Sequence, residues 1–382
     1  MWEKPSGTRS WRPNNVEYGE LTTERSVAGK LNNWRVWAAI RVIGLMGCFL
    51  LAANTASAAI LGGVNLGNLT NYLFVFTNGS QDANWQGASK GFVGDVAVNG
   101  LSADERSSGT VPYAGTIYSN AATLGAWQDI VDDNVGQAFG VTGDVARLAG
   151  LGTDLTSAFA QINALAPTAG YASVAAGSLN GLNTQNGVAE TLVINVTSDF
   201  NGISTQLMIT GDASDAFILR WDTDANFADG YEGQVKFQSG GGIVPLGGLT
   251  ASNFLNVAGD IGSSGGGTTP ALPYPQGPRL NNGTGALITG GSDFSGGGFF
   301  TGYWLTTGSP ADGDTSSLSN AIFVGGWYSS TDKFSMTSGT SGVYVAPAVQ
   351  TPEPASLALW SLGALGCAVG AYRRRRSVKA AS

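Results

Sequence analysis

Apolar and polar positions alternate along much of this chain, in short runs separated by glycine, asparagine and aspartate. A run of four to eight residues with that period is a strand with one side buried, and Gly, Asn and Asp supply the turns. Tyr72–Thr77 (YLFVFT), Phe92–Asn99 (FVGDVAVN), Thr191–Thr197 (TLVINVT), Gln206–Thr210 (QLMIT) and Ala216–Trp221 (AFILRW) read this way. So do Gln234–Gln238, Phe254–Ala258, Ala321–Val324 and Gly342–Ala346. Gly-Asp pairs recur at Gly94-Asp95, Gly143-Asp144, Gly211-Asp212 and Gly259-Asp260, with no constant period. The pattern predicts many short strands with tight turns rather than an array of identical repeats.

Between Ala121 and Leu165 the period lengthens. Leu155, Phe159, Ile162 and Leu165 fall at helical spacing, with Thr153-Asp154 as the expected cap and Pro167 as the stop. Leu124, Trp127, Ile130 and Val131 make a second, weaker stripe. Both stripes are expected to bury against a sheet. A glycine run, Gly262 to Gly267, leads into a stretch with Pro270, Pro273, Pro275 and Pro278, flexible and then stiff. Residues 262–278 therefore read as a Gly/Pro-rich loop inserted into one β-rich body, residues 59–346. The expected fold class is mainly β: a β-solenoid (β-helix-like) or a β-sandwich with one or two helices packed alongside.

The two ends carry a different pattern. Val42 to Ala53 is a 12-residue apolar stretch preceded by Arg35 and Arg41, and Ala56-Ser57-Ala58 supplies small residues for cleavage. That order is the one a secretory signal peptide uses, so residues 1–58 are expected to be removed by signal peptidase. The segment before the apolar stretch is long and holds Glu3, Glu17, Glu20 and Glu24, so the true start is expected downstream, near Val27 or Val36. At the other end, a spacer and the tripeptide Pro352-Glu353-Pro354 (residues 347–354) lead into an uncharged run, Ala355 to Tyr372. As a helix its 18 residues are about 27 Å long, within the range that crosses a bilayer. Arg373, Arg374, Arg375 and Arg376 open the basic tail 373–382, which belongs on the cytoplasmic side.

Removing both ends changes the composition. The two cysteines, Cys48 and Cys367, lie in the leader and the tail, and the chain has no histidine. Residues 59–351 thus hold no thiol and no imidazole, which excludes Ser-His-Asp and Cys-His nucleophiles and His or Cys zinc sites. They carry seven basic and 22 acidic side chains, a net charge of −15. An acidic surface gives no electrostatic reason to bind nucleic acid.

Candidate chemistry in the body is sparse, and no residue is assigned a catalytic role. Asp222, Asp224, Asn226, Asp229 and Glu232 place oxygen ligands at near-alternate positions, as a Ca²⁺ loop does. Phe227 stands where an EF-hand loop needs glycine, so the same residues also read as an Asp/Asn-rich turn between strands, and calcium is carried as the one possible cofactor. Phe299, Phe300, Tyr303, Trp304, Trp327 and Tyr328 crowd the last third and are expected in the core. Within residues 59–351 only Glu105, Glu190 and Glu232 are glutamates, and no carboxylate pair suggests glycoside cleavage.

The C-terminal order of Pro352-Glu353-Pro354, apolar run and arginine cluster resembles the PEP-CTERM sorting signal. That resemblance implies an exosortase-type processing enzyme, transient anchoring in the inner membrane, delivery to the cell surface or extracellular matrix, and association with exopolysaccharide. The stretch NYLFVFTNGSQ…GFVGDVAVNG, then DLTSAFAQINAL and ETLVINVTSD, resembles choice-of-anchor A surface domains. Residues 209–267 resemble β-helical ice-binding and adhesin domains, without the regular Thr-x-Thr ladders of many ice-binding faces. The functional expectation is a non-enzymatic structural or adhesive matrix component. A glycan-binding or glycan-degrading module and an ice-binding-like protein are the alternatives.

Overall fold

In the computed structural model, the described residues are 60–77, 83–86, 91–99, 106–108, 113–133, 139–197, 200–223, 231, 233–264, 279–280, 287–288, 298–307, 315–330, 333–336 and 339–347. Their strands stack as the coils of a parallel, three-faced β-solenoid. Of the two architectures expected, the sandwich is the one not formed: the ladders of the stack are parallel, whereas a sandwich is built from antiparallel ones. Antiparallel pairing occurs in two small hairpins, Ile60–Leu61 with Val64–Asn65 and Arg279–Leu280 with Leu287–Ile288.

One face begins with Thr191–Val196, followed along the stack by Ala216–Trp221 and Phe254–Ala258. The C-terminal halves of Gly298–Thr306 and Ile322–Ser329 come next. The strand that then follows is Tyr72–Phe76, from the other end of the chain, and after it Asp95–Val98, Tyr113–Ser119 and Phe139–Gly143. The other two faces make the same splice. Ser341–Tyr344 pairs with Gly91–Val93, and Lys333–Met336 pairs with Ala83–Gln86. The solenoid is therefore spatially continuous and sequentially spliced, with its last coil in the middle of the stack.

Burial explains why some strands read as unbroken apolar runs and others alternate. Ala216–Trp221, Phe254–Ala258 and Gly298–Thr306 are buried at every position, because both sides of those strands are covered. The inner side meets an aromatic column: Trp221 stacks on Trp304 at 6.1 Å, Phe300 on Phe323 at 4.7 Å, and Phe323 on Trp327 at 5.8 Å. The six aromatics of the last third are all buried, as expected. Three of the indole N–H groups inside find partners: Trp221 donates to Asn256 Oδ1 at 3.2 Å, Trp327 to Thr306 Oγ1 at 3.0 Å and Trp127 to Ser119 Oγ at 2.9 Å.

The two longest strands each serve two faces and bend at Gly302 and Gly325, which are register partners with φ +94° and +136°. A Cβ on Gly325 would lie 2.1 Å from the Gly302 carbonyl oxygen, so the corner is open only to glycine.

A short 3₁₀ turn, Ala121–Trp127, leads into helix α1, Gln128–Asp133. Trp127 and Ile130 enter the interior core there. Helix α2, Val145–Asn163, lies along the outer side of the first face. Leu148, Leu151, Leu155, Ala158 and Ile162 pack on Val75, Ala97, Ile218, Leu255 and Tyr328. The helix begins earlier than the Thr153-Asp154 cap expected from sequence. Asp144 is the cap, its Oδ1 accepting from Arg147 N at 3.0 Å, and Thr153 and Asp154 sit within the helix. The earlier start follows from Leu148 and Leu151, which extend the apolar stripe two turns toward the N-terminus.

Candidate functional site

The three outer sides of the solenoid differ in what covers them. Helix α2 covers the first, hereafter the helix face. On the second, Val244, Phe299, Ile322 and Val343 are buried outside the interior column, and Arg279–Leu280 packs against Gly91–Val93 and Ser341–Tyr344. The third face consists of Asn201–Ile203, Gln234–Gln238 and Asp260–Ser264, and then Thr315–Leu318, Lys333–Met336, Ala83–Gln86 and Arg106–Ser108. Among the described residues, the extensive contacts of these strands are with other solenoid strands, with no described helix or hairpin among them, and this side is here called the open face.

Alternation decides what that open face presents. Val235, Phe237, Ile261, Leu318 and Met336 point into the interior core. Gln234, Lys236, Gln238 and Ser264 then point outward and are half-buried. Gln234 donates from Nε2 to Asp260 Oδ2 at 3.0 Å, and Gln238 Nε2 donates to the Gly202 carbonyl at 2.9 Å. Both amides thus lie across the neighbouring strand instead of standing away from it. Gly262 lies directly under the Gln234 amide, where a Cβ would come within 2.8 Å of it. The result is a polar, hydrogen-bonded sheet surface on which Lys236 stands in register with Gly262.

Two grooves flank the body. The first, about 580 Å³, lies where α2 begins and is lined by Asn68, Asn71, Tyr72, Asp95, Asp144 and Arg147. Its charged groups are used on one another. Arg147 Nε donates to Asp144 Oδ2 at 2.9 Å, another guanidinium N–H donates to Tyr72 Oη at 2.8 Å, and the guanidinium lies 4.1 Å from the centre of the Tyr118 ring. Asp95 Oδ1 accepts from Thr116 N at 2.8 Å. The Arg147 bonds hold the Asp144 carboxyl below its usual range, while burial raises the Tyr72 hydroxyl. This is a clamp that fixes the start of the helix.

The second groove, about 590 Å³, lies at the end of the stack, between the loop Thr168–Tyr171 and the first coil. Backbone groups of the loop cap the edge strand: Asn195 N donates to Tyr171 O, and Thr168 N to Val193 O, both at 2.9 Å. Beneath the groove, buried Asp215 accepts from Thr184 Oγ1 at 2.6 Å, and from Asp212 N and Glu190 N at 2.9 Å each. Nothing in the sequence pattern marks this groove, because its residues come from turns and coil without a motif.

Of the oxygen ligands proposed from sequence, Asp222 is described and fully buried, at the end of Ala216–Trp221, with its N–H donating to Val196 O. Asp224, Asn226, Asp229 and Glu232 lie outside the described residues. Among the described residues, no three acidic, cysteine or histidine side chains gather as a metal site would need. Ala56, Ala58, Pro352, Glu353, Pro354 and Arg373 to Arg376 also lie outside them, as does the 355–372 run. No described helix is long and apolar enough to cross a membrane.

Fold and surface together define a parallel β-solenoid with a helix along one side and one polar face built from Gln234–Gln238 and Asp260–Ser264. No protein-family model matches the chain, and no curated protein matches it by sequence. Among solved structures, it is similar to a glycosylated ice-binding protein from an Arctic yeast, at 14% identity and a TM-score of 0.42, over 76% of this chain and 98% of that one. An ice-binding protein from the Antarctic ascomycete Antarctomyces psychrotrophicus matches at 12% identity and a TM-score of 0.40, over 75% of this chain and 98% of the other. One from an Antarctic bacterium of the Flavobacteriaceae matches at 14% and 0.38, over 78% of this chain and 52% of that one. Likeness at this level says nothing of what this chain binds.

Proposed function

We propose that this protein is an exported, non-enzymatic adhesive module that holds an extended, hydroxyl-rich polymer, a polysaccharide of the cell surface or matrix, against its open face. The observation that carries this reading is the contrast among the three outer sides. Two are covered by the protein's own helix and hairpin, and the third is polar and pre-bonded through Gln234–Asp260 and Gln238–Gly202. Side chains already fixed lose little freedom when a ligand lands on them. Export and transient anchoring are supported by the signal-peptide order and the PEP-CTERM-like tail, with an exosortase-type enzyme as processing partner. The non-enzymatic reading is supported by the lack of histidine in the chain and of cysteine between the leader and the tail.

Cosedimentation of residues 59–351 with insoluble polysaccharides tests the reading. Binding is expected, and Lys236→Trp, which raises a bulky ring from the open face, is expected to weaken it about tenfold without lowering the melting temperature. Equal binding by Lys236→Trp sinks the open-face reading, and release of sugar from the polymer sinks the non-enzymatic one. A thermal-hysteresis measurement on the same sample separates ice from glycan: growth inhibition of ice crystals, lost in Lys236→Trp, would put ice in the place of the polymer.

A further inference from the structure

The end groove differs from the clamp groove in one respect. Only some of its polar groups are consumed by each other. Asn183 Oδ1 accepts from Gln185 N at 2.9 Å and Asn186 Oδ1 from Val188 N at 2.8 Å, so those oxygens shape the turn. Asn186 Nδ2 donates to Glu190 Oε1 at 2.7 Å, which sets the carboxylate in place. Among the described residues, the Asn183 amide N–H₂, the Gln185 amide, the Thr191 hydroxyl and the Tyr171 hydroxyl meet no partner, and all four side chains line the groove. Tyr171 packs against the end of the interior core and is half-buried, leaving part of its ring on the groove side. The volume falls within the range of small-molecule sites.

A ligand that answers this lining must offer several hydroxyls, able both to donate and to accept, and a C–H face for an aromatic ring. It must also be uncharged or at most cationic, because the one ionised group that lines the groove is Glu190. Sugars meet all three conditions. We infer that the end groove is a binding site for a neutral saccharide unit, with Tyr171 as the stacking platform, Glu190 as acceptor for a pair of sugar hydroxyls, and Gln185 and Asn183 as amide contacts. It lies at the end of the stack, apart from Lys236 and the open face, so this site and the open-face function fail or stand separately.

The test is a titration of residues 59–351 with glucose, galactose, cellobiose, maltose and glucuronic acid, followed by protein-observed NMR. At least one neutral sugar is expected to shift resonances of Tyr171 and its neighbours, while glucuronic acid is expected to bind more weakly because Glu190 repels its carboxylate. Tyr171→Ala should lower affinity about tenfold through loss of the ring. Gln185→Ala, on an exposed side chain with no packing role, should lower it severalfold with an unchanged melting curve, which keeps the test valid if Tyr171→Ala folds poorly. Silence of every neutral sugar, equal affinity for glucuronic acid, or wild-type affinity in Gln185→Ala overturns the assignment. The Lys236→Trp variant should bind these small sugars as the wild type does.

Discussion

The hydroxyl of Tyr328 donates to the backbone carbonyl of Tyr72 at 3.1 Å, across 256 residues of sequence. Both residues are buried, and their strands pair directly through Tyr328↔Val75 and Trp327↔Phe74. Tyr344 makes a matching bond to the Thr70 carbonyl. The middle of the solenoid is therefore the place where the two ends of the body meet.

From that splice follows a prediction about cooperativity. A chain lacking residues 59–99 exposes Phe323 of the aromatic column at mid-stack, and one ending after Asn320 exposes Phe74. Neither piece is expected to give a cooperative melt, whereas the intact body should unfold in one transition. Tyr328→Phe should cost about 1–2 kcal/mol, since it removes one buried hydrogen bond while the ring stays stacked on Tyr303. A truncated body with a sharp native-like transition would refute the splice as a source of stability.

Arg220 sets the far end of helix α2. It is 4% exposed, its Nε donates to Asn195 Oδ1 at 2.8 Å, and its guanidinium reaches the carbonyls of Ile162 and Leu165 at 3.4 and 3.1 Å. Ile162 lies in the last turn of the helix, whose carbonyls have no partner within it, and Leu165 lies just past its end. Arg220→Met keeps the apolar stem and removes the donors, so it should cost about 2–3 kcal/mol. Hydrogen exchange should localise the damage, with faster exchange in the last turns of α2 and little change in Phe254–Ala258. Uniform loss of protection across the body would contradict a capping role.

How far the sequence announces this molecule depends on which interactions make each part. The alternation in QVKFQ and the unbroken run AFILRW already distinguish a strand open on one side from one covered on both, because burial acts directly on residue type. The aromatics of the last third were legible as core for the same reason. The splice was not. Trp327 pairs with Phe74 through backbone hydrogen bonds that carry no residue code, and any strand of suitable width could occupy that slot. The cap of α2 was missed because Leu155 and Ile162 marked the stripe more strongly than Leu148 and Leu151, which lie among small residues. The end groove left no signature because Tyr171, Gln185 and Glu190 come together only when the edge coil folds over the end of the stack.

The interior distinguishes two tryptophans that look equivalent in sequence. Trp304 and Trp327 are register partners and both fully buried. The Trp327 indole N–H has Thr306 Oγ1 at 3.0 Å, while that of Trp304 meets no acceptor among the described residues. Trp304→Phe removes a buried donor that costs desolvation, which offsets part of the volume loss; Trp327→Phe loses the volume and the hydrogen bond together. Trp327→Phe should therefore be the more destabilising by about 1–2 kcal/mol in urea unfolding. Equal losses would mean that the Trp304 N–H is satisfied in solution.

Buried tyrosines set the alkaline limit of the fold. Burial raises the hydroxyl of Tyr231 to about 12, and those of Tyr113, Tyr303 and Tyr328 are also raised, mainly by burial. Each group is neutral when protonated, and its folded pKa exceeds the unfolded value of 10.0. Their contribution is then fully present below about pH 10 and is lost as pH rises through the folded values. For Tyr231 alone the loss amounts to about 2 kcal/mol by pH 12. Urea midpoints should be flat from pH 7 to 9.5 and fall steeply above pH 10. Tyr231→Phe, which gives up the bond from its hydroxyl to Asn163 Oδ1, should start lower at neutral pH and fall less steeply in the alkaline range. A wild-type midpoint that holds constant through pH 11.5 would show that these hydroxyls ionise as easily in the folded chain as in the unfolded one.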